Sequence, residues 1–240
     1  MKSALHKETA LAIAYDAERL KTPDKKYFDV DYWREREALN GAAVGRGSAW
    51  FVSAPFGSVV LRQYLRGGWV ARVSRAHYLF TGIERSRPIR EFNILASMHE
   101  LGLPVPAPIA AMCEHHGLLS TGALITEAIA ESHTLASVLP GAVSGPGMSD
   151  QNWVDIGTCI RRFHEAGVWH ADLNARNILL DSAGQVYLVD FDRARLKPGK
   201  RLRGEDNLNR LYRSLTKFWP VDDSQALRAA WEKLRAGYDG

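Results

Sequence analysis

Cysteine is scarce in this sequence, with two residues, Cys113 and Cys159, among 240. They lie far apart and match no metal-binding spacing, which argues against a disulfide framework and favours a reducing, cytosolic compartment. Long apolar runs are missing as well. No segment approaches the roughly 18 residues that cross a bilayer, and residues 1–20 are too charged for a signal peptide. We expect a protein that does not span a membrane, although it can lie on one.

Lysine is absent from a long central stretch. None occurs between Tyr27 and Leu196, so every fixed positive charge there belongs to arginine. The overall composition, 46% hydrophobic and 24% charged, is ordinary for a folded domain. The net charge of +4 is mildly basic and suits an anionic partner such as nucleotide, phospholipid or nucleic acid, without choosing among them.

The predicted elements indicate an α+β fold with two lobes. We place a small β-rich N-terminal lobe at residues 1–128, with 1–43 as a preamble, and a mostly helical C-terminal lobe at 129–240. In the first lobe the patterns predict one helix at 87–101, a Pro-rich extended link at 104–108, and strands at 44–52, 59–65, 118–119 and 123–126. In the second they predict helices at 150–167, 205–218 and 223–237, and strands at 178–180 and 186–189.

The strongest motif lies in the second lobe. Residues 170–177 read His-Ala-Asp-Leu-Asn-Ala-Arg-Asn, and Asp190-Phe191-Asp192 follows an apolar segment. This pair of motifs resembles the catalytic loop and metal-binding motif of the protein-kinase-like superfamily. Phosphoryl transfer needs placement and charge, so Asp172 is the expected catalytic carboxylate, which accepts or orients the acceptor hydroxyl. Asn177 and Asp190 supply oxygen ligands for Mg²⁺.

The plain alternative for this motif is a capped turn. A turn would explain Asp172 and Asn174 without any chemistry. It does not explain the second motif at the end of a strand, and two motifs in their proper local settings favour the catalytic interpretation. We expect His170 to brace the loop by hydrogen bonds.

A glycine-rich segment precedes the strand at 59–65. Gly45 and Gly47 resemble a kinase phosphate-binding loop, although Trp50 stands where a third glycine is usual. Glycines let the backbone approach phosphates and offer N–H groups to them. An ordinary β-turn is the competing interpretation, and the position far upstream of the catalytic loop favours the phosphate loop.

Arginine replaces an expected lysine in the first lobe. Kinases usually carry a lysine on the strand that here holds Arg62, and no lysine is available nearby. We predict that Arg62 contacts the α- and β-phosphates of ATP, for which its planar guanidinium is suited, with Arg66 and Arg72 as fallback candidates. Glu91 on the predicted helix is the expected ion-pair partner, although a solvated helix position would also explain it.

Adenine is expected at the joint of the lobes, where the backbone of Glu127 and Ile129 would bind it. A basic run follows Asp192 and comprises Arg193, Arg195, Lys197, Lys200, Arg201 and Arg203. Such a run suits an anionic acceptor or an anionic lipid, and an ordinary solvated loop is the alternative. We take Arg193, Arg195 and Arg201 as the acceptor-side candidates.

These segments together resemble the 3-deoxy-D-manno-octulosonic acid (Kdo) kinase family, lipopolysaccharide core kinases with a protein-kinase-like fold. The resemblance runs from about Tyr27 to Phe218 and rests on 45–47 with Trp50, 60–62, 66–68, 84–92, 103–108, 170–174 and 190–193. It implies ATP and Mg²⁺ as cofactors and transfer of the γ-phosphate to the 4-hydroxyl of Kdo on Kdo-lipid A. It also implies peripheral contact with the cytoplasmic face of the inner membrane. Lipopolysaccharide heptose kinases are similar enough to be confused with it.

Other classes of function fit the sequence less well. A kinase of the aminoglycoside phosphotransferase type favours cationic acceptors, which the basic run at 193–203 argues against. A small atypical protein kinase stays open, although no Ala-Pro-Glu motif follows the catalytic segment. The intact Asp172, Asn177 and Asp190 argue against a pseudokinase. No nucleic-acid-binding motif occurs, so nucleic acid is not an expected partner.

Overall fold

A computed structural model describes residues 1–240 except for 43–48, 65–77, 80–81, 118, 140–146, 203 and 221. The chain forms two compact units. Unit 1 comprises Met1–Glu100 and Pro106–Ala128, and unit 2 comprises Leu101–Val105 and Ile129–Gly240. The predicted α+β class is confirmed, because a large antiparallel sheet dominates unit 1 and helices dominate unit 2.

The described part of unit 1 is built on an eight-stranded antiparallel sheet. Its strands are β1 (Ser3–Lys7), β2 (Leu11–Asp16), β3 (Leu39–Ala42), β4 (Ala49–Ala54), β5 (Gly57–Gln63), β6 (Tyr78–Leu79), β7 (Pro108–His116) and β8 (Leu119–Glu127). The order across the sheet is β1-β2-β7-β8-β5-β4-β3, and β6 pairs with β8. Residues 1–43 therefore contribute three strands, two of which form the hairpin that extends the sheet beyond β7.

Two strands in the middle of this sheet differ from the prediction. The prediction of two separate strands at 118–119 and 123–126 is wrong, because Leu119–Glu127 is one long strand that pairs with β7. The prolines suggested an extended link where β7 begins. Pro108 is the first residue of the strand, where a missing N–H is tolerated, and Ile109–Ala111 are fully buried, so they show no polar alternation.

Helix α2 (Arg87–Glu100) packs on this sheet, as predicted, and a short α1 (Val30–Arg34) precedes β3. Single turns of 3₁₀ helix occur at Lys25–Phe28 and Ile83–Arg85. The buried face of α2 contains Ile89, Phe92 and Leu95, which recur at helical spacing, and also the carboxylate of Glu91. A buried carboxylate on an apolar face needs an oppositely charged partner, and here the partner is Arg62 of β5.

Unit 2 surrounds a small hairpin with helices. The helices are α3 (Leu135–Val138), α4 (Asp150–Glu165), α5 (Glu205–Phe218) and α6 (Ser224–Asp239), and the strands are β9 (His133–Thr134), β10 (Val168–Trp169), β11 (Ile178–Leu180), β12 (Val186–Leu188) and β13 (Arg195–Leu196). β11 pairs with both β12 and β9, and β10 pairs with β13. None of the helices in the described ranges is long and apolar enough to cross a bilayer.

The longest helices of unit 2 approach each other closely. Ser149 caps α4 through a capping box with Asn152, which confirms the predicted start of this helix. A Cβ atom added to Gly157 of α4 would overlap the backbone oxygen of Leu234 on α6. Glycine allows this approach, and nearer the ends of the two helices Nδ1 of His164 lies 2.9 Å from the Tyr238 hydroxyl.

Candidate active site

His170 anchors the loop that joins β10 to β11. Its side chain is buried, its Nε2 donates to the backbone oxygen of Val189 at 2.9 Å, and its Nδ1 accepts the Asp172 N–H at 3.1 Å. These two bonds assign a neutral ring with the proton on Nε2. Burial lowers the pKa of His170, so the ring stays neutral. The predicted bracing role of His170 is confirmed.

The loop presents Asp172 to solvent while fixing its backbone. Its carbonyl oxygen accepts hydrogen bonds from the side-chain amides of Asn174 and Asn177, each at 2.9 Å. Its side chain is 61% exposed, and Oδ1 accepts from Arg210 Nη1 at 3.3 Å. An exposed carboxylate on a fixed backbone can accept a proton from a hydroxyl group that is brought to it.

Asn207 of α5 makes hydrogen bonds to the backbone at the start of the same loop. Its Nδ2 donates to the His170 carbonyl oxygen at 2.6 Å, and its Oδ1 accepts the His170 N–H at 3.2 Å. The same Oδ1 lies 3.0 Å from Nε2 of His164, whose Nδ1 lies 2.9 Å from the Tyr238 hydroxyl. Burial lowers the pKa of His164, consistent with a neutral ring that donates from Nε2. Polar side chains of α4, α5 and α6 thus form one hydrogen-bonded network, and Asn207 connects it to the start of the catalytic loop.

Asn177 and Asp190 stand at the same end of the β11–β12 hairpin. Ile178 pairs with Leu188, and beyond that pair the Val189 N–H donates to the Asn177 carbonyl oxygen at 3.0 Å. Asp190 is therefore the next residue on the neighbouring strand. It adopts a φ of +67°, a conformation that is rare outside glycine and concentrates at functional sites. Phe191, which follows, is fully buried against the His170 ring.

The donor set at this end of the hairpin fits Mg²⁺. Asn177 uses Nδ2 for its bond to Asp172, and its Oδ1 accepts no hydrogen bond from the described residues. A carboxylate and an amide oxygen are hard ligands, and Mg²⁺ usually takes few ligands from protein. Within the described ranges no group of three or more His, Cys, Asp or Glu side chains could hold a metal ion. Asn177 and Asp190 are residues of the kind that would hold Mg²⁺.

Arg62 and Glu91 form an ion pair within unit 1. Arg62 lies on β5 with its side chain 24% exposed, and Glu91 is 1% exposed. The Tyr64 hydroxyl joins them, because it accepts from Arg62 Nη2 at 3.1 Å and donates to the same Glu91 oxygen that Arg62 contacts. Burial and the Glu91 charge raise the pKa of Tyr64 well above its usual value, which keeps the hydroxyl protonated.

The remaining phosphate-binding candidates fall elsewhere. Gly45 and Gly47 lie outside the described residues, as do Arg66 and Arg72. Trp50 is part of β4 and pairs with Leu61 of β5. Arg62 is therefore the phosphate-binding candidate of unit 1 whose surroundings are described.

The segment expected to bind adenine follows β8. The Glu127 N–H donates to Ala107 at 2.8 Å and the Ala128 N–H to Ser58 at 3.0 Å, so neither is available to a base. The N–H of Ile129 has no acceptor among the described residues. The Glu127 carboxylate pairs with Arg19 at 3.1 Å, which ties the N-terminal segment to this strand.

The acceptor-side candidates lie around the start of the catalytic loop. Arg195 is in β13, with its guanidinium 5.5 Å from the ring of Trp169, and Arg201 is 4.0 Å from Glu165. Arg193 is exposed in the turn between Asp192 and β13. In the described part of the chain no contact joins these three arginines to Asp172, and the cation that reaches Asp172 is Arg210.

Comparison with known proteins matches residues 30–238 to the "Lipopolysaccharide kinase (Kdo/WaaP) family". The chain belongs to this family. A protein named "3-deoxy-D-manno-octulosonic acid kinase" from Xanthomonas axonopodis pv. citri (strain 306) is 47% identical over 229 residues, covering 95% of this chain and 89% of that protein. Proteins of the same name from Xylella fastidiosa (strain M12) and Stenotrophomonas maltophilia (strain R551-3) are 42% and 40% identical, with the same coverage.

Family membership confirms the resemblance that the sequence motifs carry, and with it the prediction of a phosphotransferase. The family match begins at residue 30, after the β1–β2 hairpin and the Arg19 segment. It includes α5, which follows the basic run without an intervening Ala-Pro-Glu motif.

Three residues that contact the Arg62–Glu91 pair or the catalytic loop were not identified from the sequence. Tyr64 follows Arg62 at a spacing of two, which places both on one face of a strand, and this was an available signal. Asn207 is a polar residue at the spacing of the buried Leu211 and Leu215 on α5, which was also visible. Arg210 gave no signal, because nothing in its local sequence distinguishes it from other exposed arginines.

Proposed function

We propose that this chain transfers the γ-phosphoryl group of ATP, with Mg²⁺, to the 4-hydroxyl of a Kdo residue on Kdo-lipid A. Its place would be lipopolysaccharide core assembly. The observation that carries the proposal is the exposed Asp172 carboxylate on a loop whose backbone is fixed by His170, Asn174 and Asn177. The relatives named as Kdo kinases, at 40–47% identity over nearly the whole chain, support the acceptor.

Asp172 is the proposed base of the reaction. Its Oδ2 accepts no hydrogen bond from a described residue and can receive the proton of the acceptor hydroxyl as the new P–O bond forms and ADP leaves. His170, Asn174 and Asn177 act on the loop backbone instead. Because they leave the carboxylate oxygens exposed, their role is to position the base.

Charged side chains and hard oxygen ligands are the proposed contacts of the ATP phosphates and of the metal ion. Arg62 of unit 1 is the proposed contact for the α- and β-phosphates, and its bond to buried Glu91 fixes the direction of the guanidinium. Asn177 and Asp190 of unit 2 would hold Mg²⁺, which neutralises charge on the phosphate oxygens when bound. Gly45 and Gly47 are proposed as backbone contacts, and the backbone carbonyl of Glu127 and the backbone N–H of Ile129 as adenine contacts.

Peripheral contact with the cytoplasmic face of the inner membrane belongs to the same proposal. The acceptor is a lipid, so the kinase must work at the membrane surface. Lys197, Lys200 and Arg201 are exposed together on one loop, and the chain carries a net charge of +4. Each exposed cation near an anionic surface contributes about 1 kcal/mol of attraction. Arg193, Arg195 and Arg201 stay acceptor-side candidates within this surface.

Transfer of label from γ-labelled ATP tests the function directly. We expect Mg²⁺-dependent labelling of Kdo-lipid A and none of lipid A without Kdo or of a generic protein. A heptose-bearing core offered in parallel distinguishes a heptose kinase, and labelling of that acceptor alone would replace the proposed substrate. Labelling of the generic protein alone would indicate a protein kinase.

Asp172→Asn tests the assignment of the base. We expect transfer to fall at least about a hundredfold with ATP binding retained, because general base catalysis contributes on that scale. Asp222→Asn makes the same chemical change at an exposed position before α6 and should leave transfer unchanged. Near-normal transfer by the Asp172 variant would refute its role. For the membrane, we expect sedimentation with anionic vesicles, weakening as salt increases, and none with neutral vesicles.

A further inference from the structure

The catalytic loop lies along helix α5 for most of the length of that helix. Asn207 in its first turn bonds to the backbone of His170. Two turns further on, the Ser214 hydroxyl accepts the Ala175 N–H at 3.1 Å. At the end of the helix, Phe218 lies 5.0 Å from the guanidinium of Arg176. Any side chain on this face of α5 therefore borders the loop that carries Asp172.

A cationic stripe runs along α5 beside that face. From residue 207 to 218 the helix contains Arg210, Arg213 and Lys217 and no acidic residue. All three cations are exposed, and their spacing of three and four residues places them along one side of the helix. Arg213 and Lys217 form no ion pair with any residue in the described ranges. The positive charge bordering the loop is thus only partly compensated by the protein.

Arg210 contacts the proposed base but uses little of its bonding capacity there. One nitrogen, Nη1, donates to Asp172 Oδ1 at 3.3 Å, and the guanidinium makes no other hydrogen bond to a described residue. The two side chains are 46% and 61% exposed. An exposed ion pair contributes at most about 1 kcal/mol, so a competing anion can take over the guanidinium at little cost.

We propose that Arg210 is the binding site for the carboxylate of an acidic sugar acceptor. This inference rests on the proposed function and names the group that recognises the acid. The planar fork of arginine binds a carboxylate through two parallel hydrogen bonds, which a lysine cannot reproduce. When the acceptor is bound, its hydroxyl takes an oxygen of Asp172 and its carboxylate takes the guanidinium of Arg210. Arg213, three residues further along α5, is exposed on the same side of the helix as Arg210.

The geometry sets the distance between the two recognised groups. Asp172 Oδ1 and Arg210 Nη1 lie 3.3 Å apart, so the hydroxyl bound at Asp172 and the carboxylate bound at Arg210 are neighbours. The reacting hydroxyl oxygen and the acceptor carboxylate are therefore separated by roughly 10 Å at most. A sugar acid whose carboxylate is a few bonds from the phosphorylated hydroxyl satisfies this separation, and a neutral sugar has nothing to place on Arg210.

The test compares two acceptors that differ only in charge. Kdo-lipid A and the same lipid with its Kdo carboxylate converted to an amide are offered to the wild-type chain, Arg210→Gln, Arg210→Lys and the control Arg228→Gln. Arg228 is exposed on α6 without an ion pair to a described residue. The quantity measured is the ratio of kcat/KM for the acid to kcat/KM for the amide.

We expect the wild-type chain and Arg228→Gln to prefer the acid by about 10–100-fold, the range for a hydrogen-bonded charged group. In Arg210→Gln this ratio should fall to near one, and Arg210→Lys should lie between. Equal losses on both acceptors, with the ratio kept, would mean that Arg210 acts only on Asp172 and would overturn the inference while leaving the proposed function intact. A wild-type chain that labels neither lipid would overturn the proposed function and the inference together.

Discussion

Tyr64→Phe should weaken the use of ATP, although Tyr64 is not expected to touch the nucleotide. The hydroxyl of Tyr64 accepts from Arg62 and donates to the buried Glu91, so one atom links both members of the ion pair. Phenylalanine keeps the ring, which is 6% exposed, and removes only this link. The Arg62–Glu91 pair then survives with fewer constraints on the orientation of the guanidinium.

The expected magnitude follows from the environment of Glu91. A hydrogen bond to a charged group contributes about 1.5–3 kcal/mol, and Glu91 at 1% exposure has no water to replace it. We expect a loss in the free energy of unfolding of about 2 kcal/mol. The KM for ATP should rise by roughly three- to tenfold, since a coupling of about 1 kcal/mol between contacting residues has that effect.

A double-mutant cycle measures the link itself. Urea unfolding and ATP kinetics are recorded for Tyr64→Phe, Arg62→Met and the double variant. We expect non-additive losses, because without Arg62 the hydroxyl has no guanidinium to orient. Tyr212→Phe on α5 is the matched control: its hydroxyl makes no hydrogen bond to a described residue, and the change in stability should stay within about 0.5 kcal/mol.

Two results would refute this reasoning. If Tyr64→Phe has the stability and the ATP kinetics of the wild-type chain, the hydroxyl does not constrain the pair. If the losses of the two single variants simply add, Tyr64 acts on stability alone and Arg62 is positioned by Glu91 without it. Near-normal ATP kinetics in Arg62→Met would move the phosphate contact to Arg66 or Arg72.

Two further predictions concern the support of the catalytic loop. Asn207→Ala should lower the free energy of unfolding in urea by about 3 kcal/mol or more, because it leaves buried polar groups of His170 and His164 unsatisfied. The control Asn209→Ala, at an exposed position, should lower it by less than about 0.5 kcal/mol. Equal effects of the two changes would contradict the role of Asn207. Burial lowers the pKa of both histidines, so the unfolded chain binds protons first as the pH falls. The free energy of unfolding should therefore decline as the pH falls from about 6.5 through the folded-state pKa values. The transfer rate should decline with it, because a protonated Nδ1 of His170 cannot accept the Asp172 N–H. An unfolding free energy that is flat between about pH 7.5 and 5.5 would contradict this prediction.

Some elements of the fold were predictable because their signals are local. Helix α4 has a serine cap and an apolar stripe, and helix α2 has the stripe and a glycine after its end. The hairpin of β11 and β12 follows from two short apolar runs with a turn between them. Each of these signals is contained in fewer than about 20 residues, the range over which side-chain periodicity can be counted.

The sheet of unit 1 was harder to predict for a physical reason. β7 is buried on both faces, so it lacks the alternation that identifies a strand, and its prolines are harmless only because they precede or begin the strand. The pairing of β2 with β7 joins residues about 100 positions apart, as in Ile13 opposite Met112. No local pattern specifies such a pairing, because it is chosen by the burial of the whole sheet.

The sequence by itself determined the chemistry that this protein can perform. The spacing of Asp172, Asn177 and Asp190 predicts phosphoryl transfer with a metal ion, and the absence of lysine between Tyr27 and Leu196 predicts that an arginine contacts the phosphates. Only the tertiary structure decided which side chains hold and surround these groups. Tyr64 meets Glu91 across 27 positions, Asn207 meets His170 across 37, and Arg210 meets Asp172 across 38. Contacts at such separations arise from the packing of helices and strands on one another, which a linear pattern of residues does not encode.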